Sequence, residues 1–285
     1  MIITIIGTGN VAYQLAHRFI SKGAPIDLIV GRRTLDVESW TMDIGRWTLG
    51  KNNIQYPTSK IQNPKSNVLR FSTDYADISP KTDLIIIAVS DNAITEVAKK
   101  LAPFAAENTL VVHTSGNVMS GALKPFFKNF GGLYPLQTFT KESFPDFDII
   151  PVFYNVTTDT QQSKNNYEKL IVEAATLLSP KIFFLDDADR LTLHISAVFV
   201  NNFVNHLFGI AQELLSGTQI PFEVLIPLIN ETVRKIELHS ADKIQTGPAV
   251  RGDVQTIEKH TAFLSEKNIL YKAVYDAITK SILER

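Results

Sequence analysis

Two stretches of the chain decide its fold: Met1-Ile-Ile-Thr-Ile-Ile-Gly7-Thr8-Gly9-Asn10-Val11-Ala12 and Ile26-Asp-Leu-Ile-Val-Gly31-Arg32-Arg33-Thr34. An apolar run leads into Gly-x-Gly-x-x-Ala, a segment of helical character follows, and a second apolar run ends at two arginines. This order of strand, glycine turn, helix and strand is typical of a dinucleotide-binding fold. The turn residues predicted to bind the dinucleotide are Gly7, Thr8, Gly9, Asn10 and Val11.

The glycines of this turn have distinct physical roles. Gly7 lets the chain leave the strand through a tight turn, and Gly9 removes a side chain where a pyrophosphate must touch the backbone. Ala12 stands in place of a third glycine, at a position that needs only a small residue. We expect the helix that begins near Asn10 to direct its free N–H groups towards the phosphates.

The end of the second apolar run indicates which dinucleotide is bound. An NAD site usually carries an acidic residue here, about 20 residues after the glycines. This chain has Gly31, Arg32 and Arg33 instead. Because guanidinium groups bind phosphate through paired, charge-assisted hydrogen bonds, we predict that NADP is the cofactor and that these residues hold its 2′-phosphate. The alternative is a solvated basic turn.

Composition narrows the range of function classes. The 285 residues include 28 basic and 29 acidic ones, a net charge of −1, and no cysteine. This balance gives no support for nucleic acid or an anionic membrane as partner, and thiolate catalysis is excluded. No metal-ligand spacing is found. Because the first strand begins at the N-terminus and all apolar runs are strand-sized, we expect a cytoplasmic protein without signal peptide or membrane span that acts on a small molecule.

The apolar runs predict an α/β domain followed by a helical one. The eight predicted strands are residues 2–6, 26–30, 68–71, 84–89, 109–113, 130–133, 151–156 and 181–185, and the predicted C-terminal helices are residues 188–215, 221–240, 253–264 and 267–284. We therefore predict a doubly wound, mostly parallel sheet of Rossmann type over residues 1–187 and an all-α domain over residues 188–285. Segment 36–66 is long for a connection; it is either a lid or a decoration.

Polar residues follow the predicted strands at the carboxyl edge of the sheet, where open α/β sheets bind ligands. We predict that Val89, Ser90, Asp91 and Ser115 contact the cofactor, and the candidates to face the reacting carbon are His113, Ser115 and Gln137. The alternative is that Ser90 and Ser115 cap helices and that His113 is a hydrogen-bonded structural residue.

The predicted helix 188–215 carries a polar but uncharged stripe. At 100° per residue, His194, Asn201 and Asn205 lie within about 40° of one another, and residues 192–211 include no Lys, Arg, Asp or Glu. Two interpretations remain open. The stripe is a catalytic face with His194 as the proton carrier, or it is a satisfied polar seam between helices.

A constrained loop precedes the third predicted C-terminal helix. It contains Gly-Pro and then Arg251-Gly-Asp253, and Asp253 is placed to cap the helix. Arg251 on such a loop could clamp a substrate carboxylate. Alternatively, Arg251 pairs with Asp253 or with a neighbouring subunit.

Motifs in both halves of the chain occur together in one known family. In the first half they are Gly7-x-Gly9-x-x-Ala12, Gly31-Arg32, Ala88-Val89-Ser90-Asp91, His113-Thr114-Ser115-Gly116 and Pro135-Leu136-Gln137-Thr138-Phe139. In the second half they are His194 with Asn201-Asn202-Phe203, Pro227-Leu228-Ile229, Gln245-Thr246-Gly247-Pro248, Arg251-Gly252-Asp253 and His260. With these motifs, nearly the whole chain resembles a family of bacterial Rossmann-like NADP oxidoreductases that carry a C-terminal helical domain of unknown function.

The resemblance extends to ketopantoate reductase, pyrroline-5-carboxylate reductase and the 3-hydroxyacid dehydrogenases, with a C-terminal domain similar to that of 6-phosphogluconate dehydrogenase. It implies NADP binding, hydride transfer and a homodimer formed through the helical domain. Two departures stand out. The Lys-x-x-x-Asn pair of the hydroxyacid dehydrogenases is absent, with His194 and Asn201 in that neighbourhood, and Tyr134 stands where a histidine is expected before Pro-Leu-Gln.

Together, these features predict an NADPH-dependent reductase or dehydrogenase of a small carbonyl or imine compound with an anionic group. His194 or His113 would donate or accept the proton, Asn201 or Asn205 would orient the carbonyl, and Arg251 would hold the anionic group. The alternative is a non-catalytic NADP-binding sensor or scaffold protein, which the missing lysine favours. A flavin-like or deazaflavin cofactor is a further alternative.

Overall fold

The computed structural model describes residues 1–24, 26–32, 61–62 and 68–284, so Arg33 and most of segment 36–66 lie outside the described residues. The chain divides into two compact units, Met1–Val198 and Phe199–Arg285. The domain boundary predicted at residue 187 falls where the last helix of the first unit begins. The assignment of separate roles to the two domains stays a prediction.

The first unit is built on a nine-stranded sheet. Its strands are β1 (Ile3–Ile6), β2 (Ile26–Val30), β3 (Ile61–Gln62), β4 (Val68–Ser72), β5 (Leu84–Ile87), β6 (Leu110–His113), β7 (Phe130–Pro135), β8 (Val152–Thr157) and β9 (Ile182–Phe184). The order is β3-β4-β2-β1-β5-β6-β7-β8-β9, and all neighbours are parallel except β3–β4 and β7–β8. The predicted mostly parallel sheet of Rossmann type is confirmed, and β3 is the one described strand that the sequence pattern does not predict.

Helices cover both faces of this sheet. The helix α1 (Asn10–Ser21) and the helix α3 (Gln161–Leu178) pack with Ile3 and Ile5 in one apolar cluster, whereas α2 (Ile94–Leu101) packs with Ile6 in a second. Strand β5 lies between β1 and β6, and all four of its residues are fully buried. A strand covered on both faces needs a continuous apolar run, which is why residues 84–87 read Leu-Ile-Ile-Ile.

The strands that matter for function end at one edge. Parallel pairing aligns Ile6 with Ile87, Ile87 with His113, and His113 with Gly132. The loops that follow β1, β5, β6 and β7 therefore emerge side by side, at a spacing of about 4.8 Å per strand. This carboxyl edge is where the sequence predicts the cofactor and the reacting carbon.

The long helix predicted over residues 188–215 is not a regular α-helix. It consists of α4 (Asp187–Ala197), a π-helical segment (Val198–Phe203) and α5 (Val204–Leu215). Because π-helical hydrogen bonds run from residue i to i+5, the side chains do not advance by 100° per residue through this segment. The wheel that groups His194 with Asn201 and Asn205 is therefore wrong for this helix.

The second unit is all-helical, as predicted. After α5 come α6 (Ile226–Leu238), α7 (Ala241–Ile244), α8 (Val254–Lys267) and α9 (Ile269–Leu283). Asp253 caps α8, since its side chain accepts a hydrogen bond from the Thr256 backbone N–H at 3.1 Å. None of the helices in the described part of the chain is long and apolar enough to cross a lipid bilayer.

Candidate dinucleotide and substrate site

The turn after β1 requires a glycine at its first position. Gly7 has φ +125°, a conformation that L side chains rarely adopt, and a Cβ there would lie 2.2 Å from the Ala88 carbonyl oxygen. The Gly7 backbone N–H donates to the Val30 carbonyl at 2.8 Å. The turn is therefore wedged between the ends of β2 and β5, and Val89 lies directly beside it.

Gly9 has a different environment from Gly7. A Cβ at Gly9 would meet no described atom within 4 Å, so the protein itself leaves this space open. Gly9 is also the N-cap of α1, and as a glycine it has no side chain with which to cap the helix. The first N–H groups of α1, with the positive end of the helix dipole, thus remain for an anion. These features fit the pyrophosphate of a dinucleotide.

The loop after β7 is tied to the glycine turn. The Asn10 side-chain amide donates to the Phe139 carbonyl at 3.0 Å, and Gln14, one turn further along α1, donates to the Thr140 carbonyl at 2.5 Å. The segment Pro135–Phe139 therefore borders the predicted pyrophosphate position. Asn10 serves as a tether for this loop in addition to its place in the turn.

The predicted 2′-phosphate site begins directly after β2. The Gly31 backbone N–H donates to the Ser72 carbonyl at 2.9 Å, which ties the turn to the end of β4, and Arg32 is exposed. This is the place at which dinucleotide-binding sheets meet the adenosine ribose. Arg33, the second predicted phosphate ligand, lies outside the described residues.

The loops after β5 and β6 meet at the carboxyl edge. Ser90 precedes a short 3-10 turn without capping it, and the Asn117 side-chain amide lies 3.4 Å from an Asp91 carboxylate oxygen. The Ser115 hydroxyl accepts hydrogen bonds from the backbone N–H groups of Asn117, at 3.1 Å, and of the next residue, at 2.9 Å. Ser115 therefore stabilises a local turn and does not cap a helix, since the next helical turn, Ser120–Leu123, has Met119 at its N-cap.

His113 is completely buried at the end of β6. Its Nδ1 accepts a hydrogen bond from the Ser115 backbone N–H at 3.2 Å. Burial, and secondarily the positive charge of Arg190, lower the pKa of His113 to about 4. The imidazole is therefore neutral at pH 7, which suits a fixed hydrogen-bonding residue better than a group that exchanges protons with a substrate.

A buried ion pair that the sequence analysis misses lies behind His113. The Arg190 guanidinium, with 2% of its side chain exposed, lies 2.9 Å from an Asp187 carboxylate oxygen and donates to the Val118 carbonyl at 2.7 Å. Gly132 makes room for it, because a Cβ there would lie 2.6 Å from Arg190 Nη1. The Asp-x-x-Arg spacing at the start of a helix is the sequence signal that could have revealed this pair.

Hydrogen bonds satisfy the carboxylate of the pair. Asp187 accepts from the Ser120 backbone N–H at 2.8 Å and from the Asn155 side-chain amide at 2.7 Å. Burial alone would raise the pKa of Asp187, but these hydrogen bonds and the charge of Arg190 outweigh it, so the pKa is lowered. The network fixes the first turn of α4 to the sheet.

α4 brings His194 to the carboxyl edge. His194 Nδ1 lies 3.2 Å from the Tyr134 hydroxyl, which is held near the end of β7. Both side chains are half-buried, and their rings meet edge to face. Of the catalytic residues predicted from the sequence, the structure therefore places His113 and His194 at this edge.

The remaining predicted catalytic residues belong to the second unit. Asn201 lies in the π-helical segment, Asn205 on α5 and Arg251 in the loop before α8, and all three are exposed. The Asp253 carboxylate accepts a hydrogen bond from the Thr256 hydroxyl, and its pKa is lowered first by hydrogen bonds from Thr256 and secondarily by the charge of Arg251. In the described ranges, no three His, Asp or Glu side chains converge as a metal site would require.

Comparison with known families supports the sequence interpretation. Residues 2–116 match the family described as NADP oxidoreductase, coenzyme F420-dependent, and residues 159–282 match a domain of unknown function, DUF2520. The chain thus carries an N-terminal oxidoreductase domain of NAD(P)-dependent type followed by the DUF2520 domain. No curated protein is similar enough to this chain to count as a match.

Solved structures with the same fold include several oxidoreductases. The BF3122 protein of Bacteroides fragilis, described provisionally as an NADP oxidoreductase, has 29% identity and a TM-score of 0.81 over 100% of this chain and 98% of its own. Two others show the fold alone. They are TM1727 of Thermotoga maritima (19% identity, TM-score 0.64, 99% and 98% covered) and a reductive aminase of Aspergillus terreus in complex with NADPH (13%, 0.63, 98% and 93%).

Proposed function

We propose that this protein is an NADP-dependent oxidoreductase that transfers a hydride between NADPH and a small carbonyl or imine compound with an anionic group. The observation that carries the proposal is the turn after β1: Gly7 is wedged against β5, Gly9 leaves open space, and the N-cap of α1 has no side chain of its own. The oxidoreductase family match over residues 2–116 supports it. When bound, NADPH supplies the hydride. The residues of the chain bind the cofactor, orient the substrate and transfer the proton.

The described cofactor residues have complementary roles in this proposal. The Gly9, Asn10 and Val11 backbone binds the pyrophosphate, and Thr8 completes the turn. Arg32, with Arg33, binds the 2′-phosphate, since a guanidinium matches phosphate in charge and geometry. Val89, Ser90, Asp91 and Ser115 line the edge next to the turn and border the nicotinamide end.

His194 donates or accepts the proton in the proposed reaction. It is half-buried at the carboxyl edge, whereas His113 is fully buried and neutral at pH 7. We therefore assign His113 to hydrogen bonding that holds the loop after β6. The sequence-based roles of Asn201 or Asn205 in orienting the carbonyl and of Arg251 in holding the anionic group remain part of the proposal.

A homodimer formed through the helical unit is part of the proposal. The support is the amount of apolar surface on residues 199–284, where 18 large apolar side chains are exposed. Exposed apolar surface on this scale marks a protein–protein interface. A cavity of about 330 Å³ between α5, α8 and α9, lined mainly by apolar side chains such as Leu214 and Ile278, offers space for side chains of a second copy.

The test is NADPH oxidation at 340 nm with a panel of acceptors: pyruvate, 2-oxoglutarate, 1-pyrroline-2-carboxylate and coenzyme F420. We expect the wild type to reduce an oxo acid or the imine. His194→Ala should lower turnover by about two to four orders of magnitude and leave the NADPH Kd unchanged. His17→Ala, which removes an imidazole on α1, is the control. A His194→Ala protein with full activity removes His194 from the mechanism, and reduction of F420 alone contradicts the proposed substrate class.

A further inference from the structure

We propose that the Tyr134 hydroxyl donates the proton to the substrate, and that His194 then reprotonates Tyr134. The inference deepens the proposed function and rests on it. Tyr134 is a departure from the family pattern, a tyrosine where a histidine is expected. In the structure, position 134 has no imidazole, but His194 on α4 places one beside it and is hydrogen-bonded to Tyr134.

The position of Tyr134 is the first support. It is the penultimate residue of β7, one residue beyond Leu133 of the buried core, so its backbone is fixed by the sheet. Its hydroxyl lies 3.2 Å from His194 Nδ1. The side chain is half-buried, so it has both a fixed environment and an open side. Because the two groups are already hydrogen-bonded, a proton can pass between them without any rearrangement of the side chains.

Gly116 provides the second support, since the pair occupies the space of its missing side chain. A Cβ at Gly116 would lie 2.6 Å from His194 Nδ1 and 2.7 Å from Tyr134 Cζ. The loop after β6 can therefore hold the pair only with a glycine at this position. Gly121, in the same connection, is unlike Gly116, because a Cβ there would meet no described atom within 4 Å.

The third support concerns the other proton carriers at the edge. His113 is fully buried and neutral, and Asp187 is engaged in the ion pair with Arg190. Burial raises the pKa of Tyr134, the charge of Arg190 opposes this, and the charge of Asp91 adds to it. The hydroxyl therefore keeps its proton at neutral pH and can donate it.

The proton and electron balance is simple. As the hydride of a reduced nicotinamide reaches the carbonyl or imine carbon, the C=O or C=N π bond breaks and its electron pair takes the Tyr134 hydroxyl proton. Tyr134 regains a proton from His194 Nδ1–H while solvent protonates Nε2 of the same ring, so the imidazole stays neutral and only its tautomer changes. The substrate is reduced, the nicotinamide is oxidised, and one proton is consumed.

The test compares Tyr134→Phe, His194→Ala and the double variant with Tyr154→Phe as the matched control. Tyr154 is a half-buried tyrosine on β8, paired with Leu133 and thus on the other face of the sheet. We expect Tyr134→Phe to lower kcat about a hundredfold or more, with KM and the NADPH Kd within about threefold. Because the two residues act in series, the double variant should be about as slow as the slower single variant.

A second readout does not depend on turnover. In protein labelled with ¹³Cζ-tyrosine, the Tyr134 signal, assigned through Tyr134→Phe, should differ between the wild type and His194→Gln, because the substitution removes the imidazole partner of the hydroxyl. The signal should be unchanged in Gly121→Ala, whereas Gly116→Ala should move it and slow turnover. The charged groups that affect the pKa of Tyr134 are Arg190, which lowers it, and Asp91, which raises it.

The outcomes separate the two proposals. If the wild type reduces a panel compound and Tyr134→Phe retains turnover within about threefold, the role of Tyr134 is wrong while the proposed function stands. A Tyr134 signal that ignores His194→Gln contradicts the pairing. If the wild type binds no NADPH or reduces no panel compound, the proposed function fails and the inference falls with it.

Discussion

The two units of the chain bury apolar side chains to very different extents. In the first unit 36 apolar residues of the described ranges are buried, and 7 large ones are exposed. In the second unit, Ala249 and Leu264 are the two described apolar residues that are buried, against 18 large ones exposed. At about 25 cal/mol per Å² of apolar surface, such exposure leaves a helical unit of this size without the main source of folding energy.

This contrast indicates how stability and function are divided. The first unit has a core of its own and can hold a preformed nucleotide site. The second unit needs another surface against its helices, and a second copy of the chain is the partner that the proposal assigns to it. Substitutions in each unit test this difference in burial.

Leu228→Glu should have the largest effect. Leu228 on α6 is 66% exposed, and in a two-fold symmetric dimer each substitution buries two carboxylates. At several kcal/mol per buried charge, the dimer should lose roughly 6 kcal/mol. Sedimentation equilibrium should show dissociation, accompanied by loss of helical circular dichroism.

The matched control is Ile149→Glu in the first unit, where the side chain is 62% exposed. If the two surfaces are equivalent, both variants remain as stable as the wild type. A monomeric wild type, or a Leu228→Glu dimer of normal affinity, would contradict the dimer and leave the exposed helices unexplained.

Within the first unit, Gly7→Ala and Gly9→Ala should separate folding from binding. Gly7→Ala places a Cβ 2.2 Å from the Ala88 carbonyl oxygen at positive φ, so we expect a loss of roughly 4 kcal/mol or more in the free energy of unfolding. Gly9→Ala has open space and should fold normally but bind NADPH at least tenfold more weakly. Urea unfolding and fluorescence titration check the pair; equal stability of both variants would show that Gly7 is not wedged against β5.

His113 should make the stability of the first unit sensitive to mild acid. The unfolded imidazole takes up a proton near pH 6.5, whereas the folded one does so near pH 4. Between these values the unfolded state binds more protons, so stability falls as the pH falls, by up to about 3 kcal/mol. The free energy of unfolding at pH 7 and pH 4.5 measures this, and His113→Gln should reduce the difference. His206→Gln, on the second unit, is the control, and a pH slope unchanged by His113→Gln would rule out His113 as its source.

The sequence is a good guide where a residue's role depends on its neighbours along the chain. The strand, glycine turn and helix over residues 3–21 and the buried run at 84–87 follow from local patterns that backbone geometry enforces. The Asp253 cap is local in the same way.

Local sequence patterns do not predict contacts between residues that are distant along the chain, nor small changes in helical phase. The Tyr134–His194 hydrogen bond joins residues 60 positions apart, and the space left by Gly116 becomes visible only when three elements meet. The π-helical segment 198–203 has no composition that distinguishes it from an α-helix, so the 100° wheel fails there.

The most direct test of the account is a fluorescence titration of the wild type and of Arg32→Ala/Arg33→Ala with NADPH and NADH. We expect the wild type to bind NADPH at least tenfold more tightly, a difference of about 1.4 kcal/mol, and the double variant to lose this preference. Binding of neither nucleotide by the wild type would contradict the oxidoreductase assignment at its foundation.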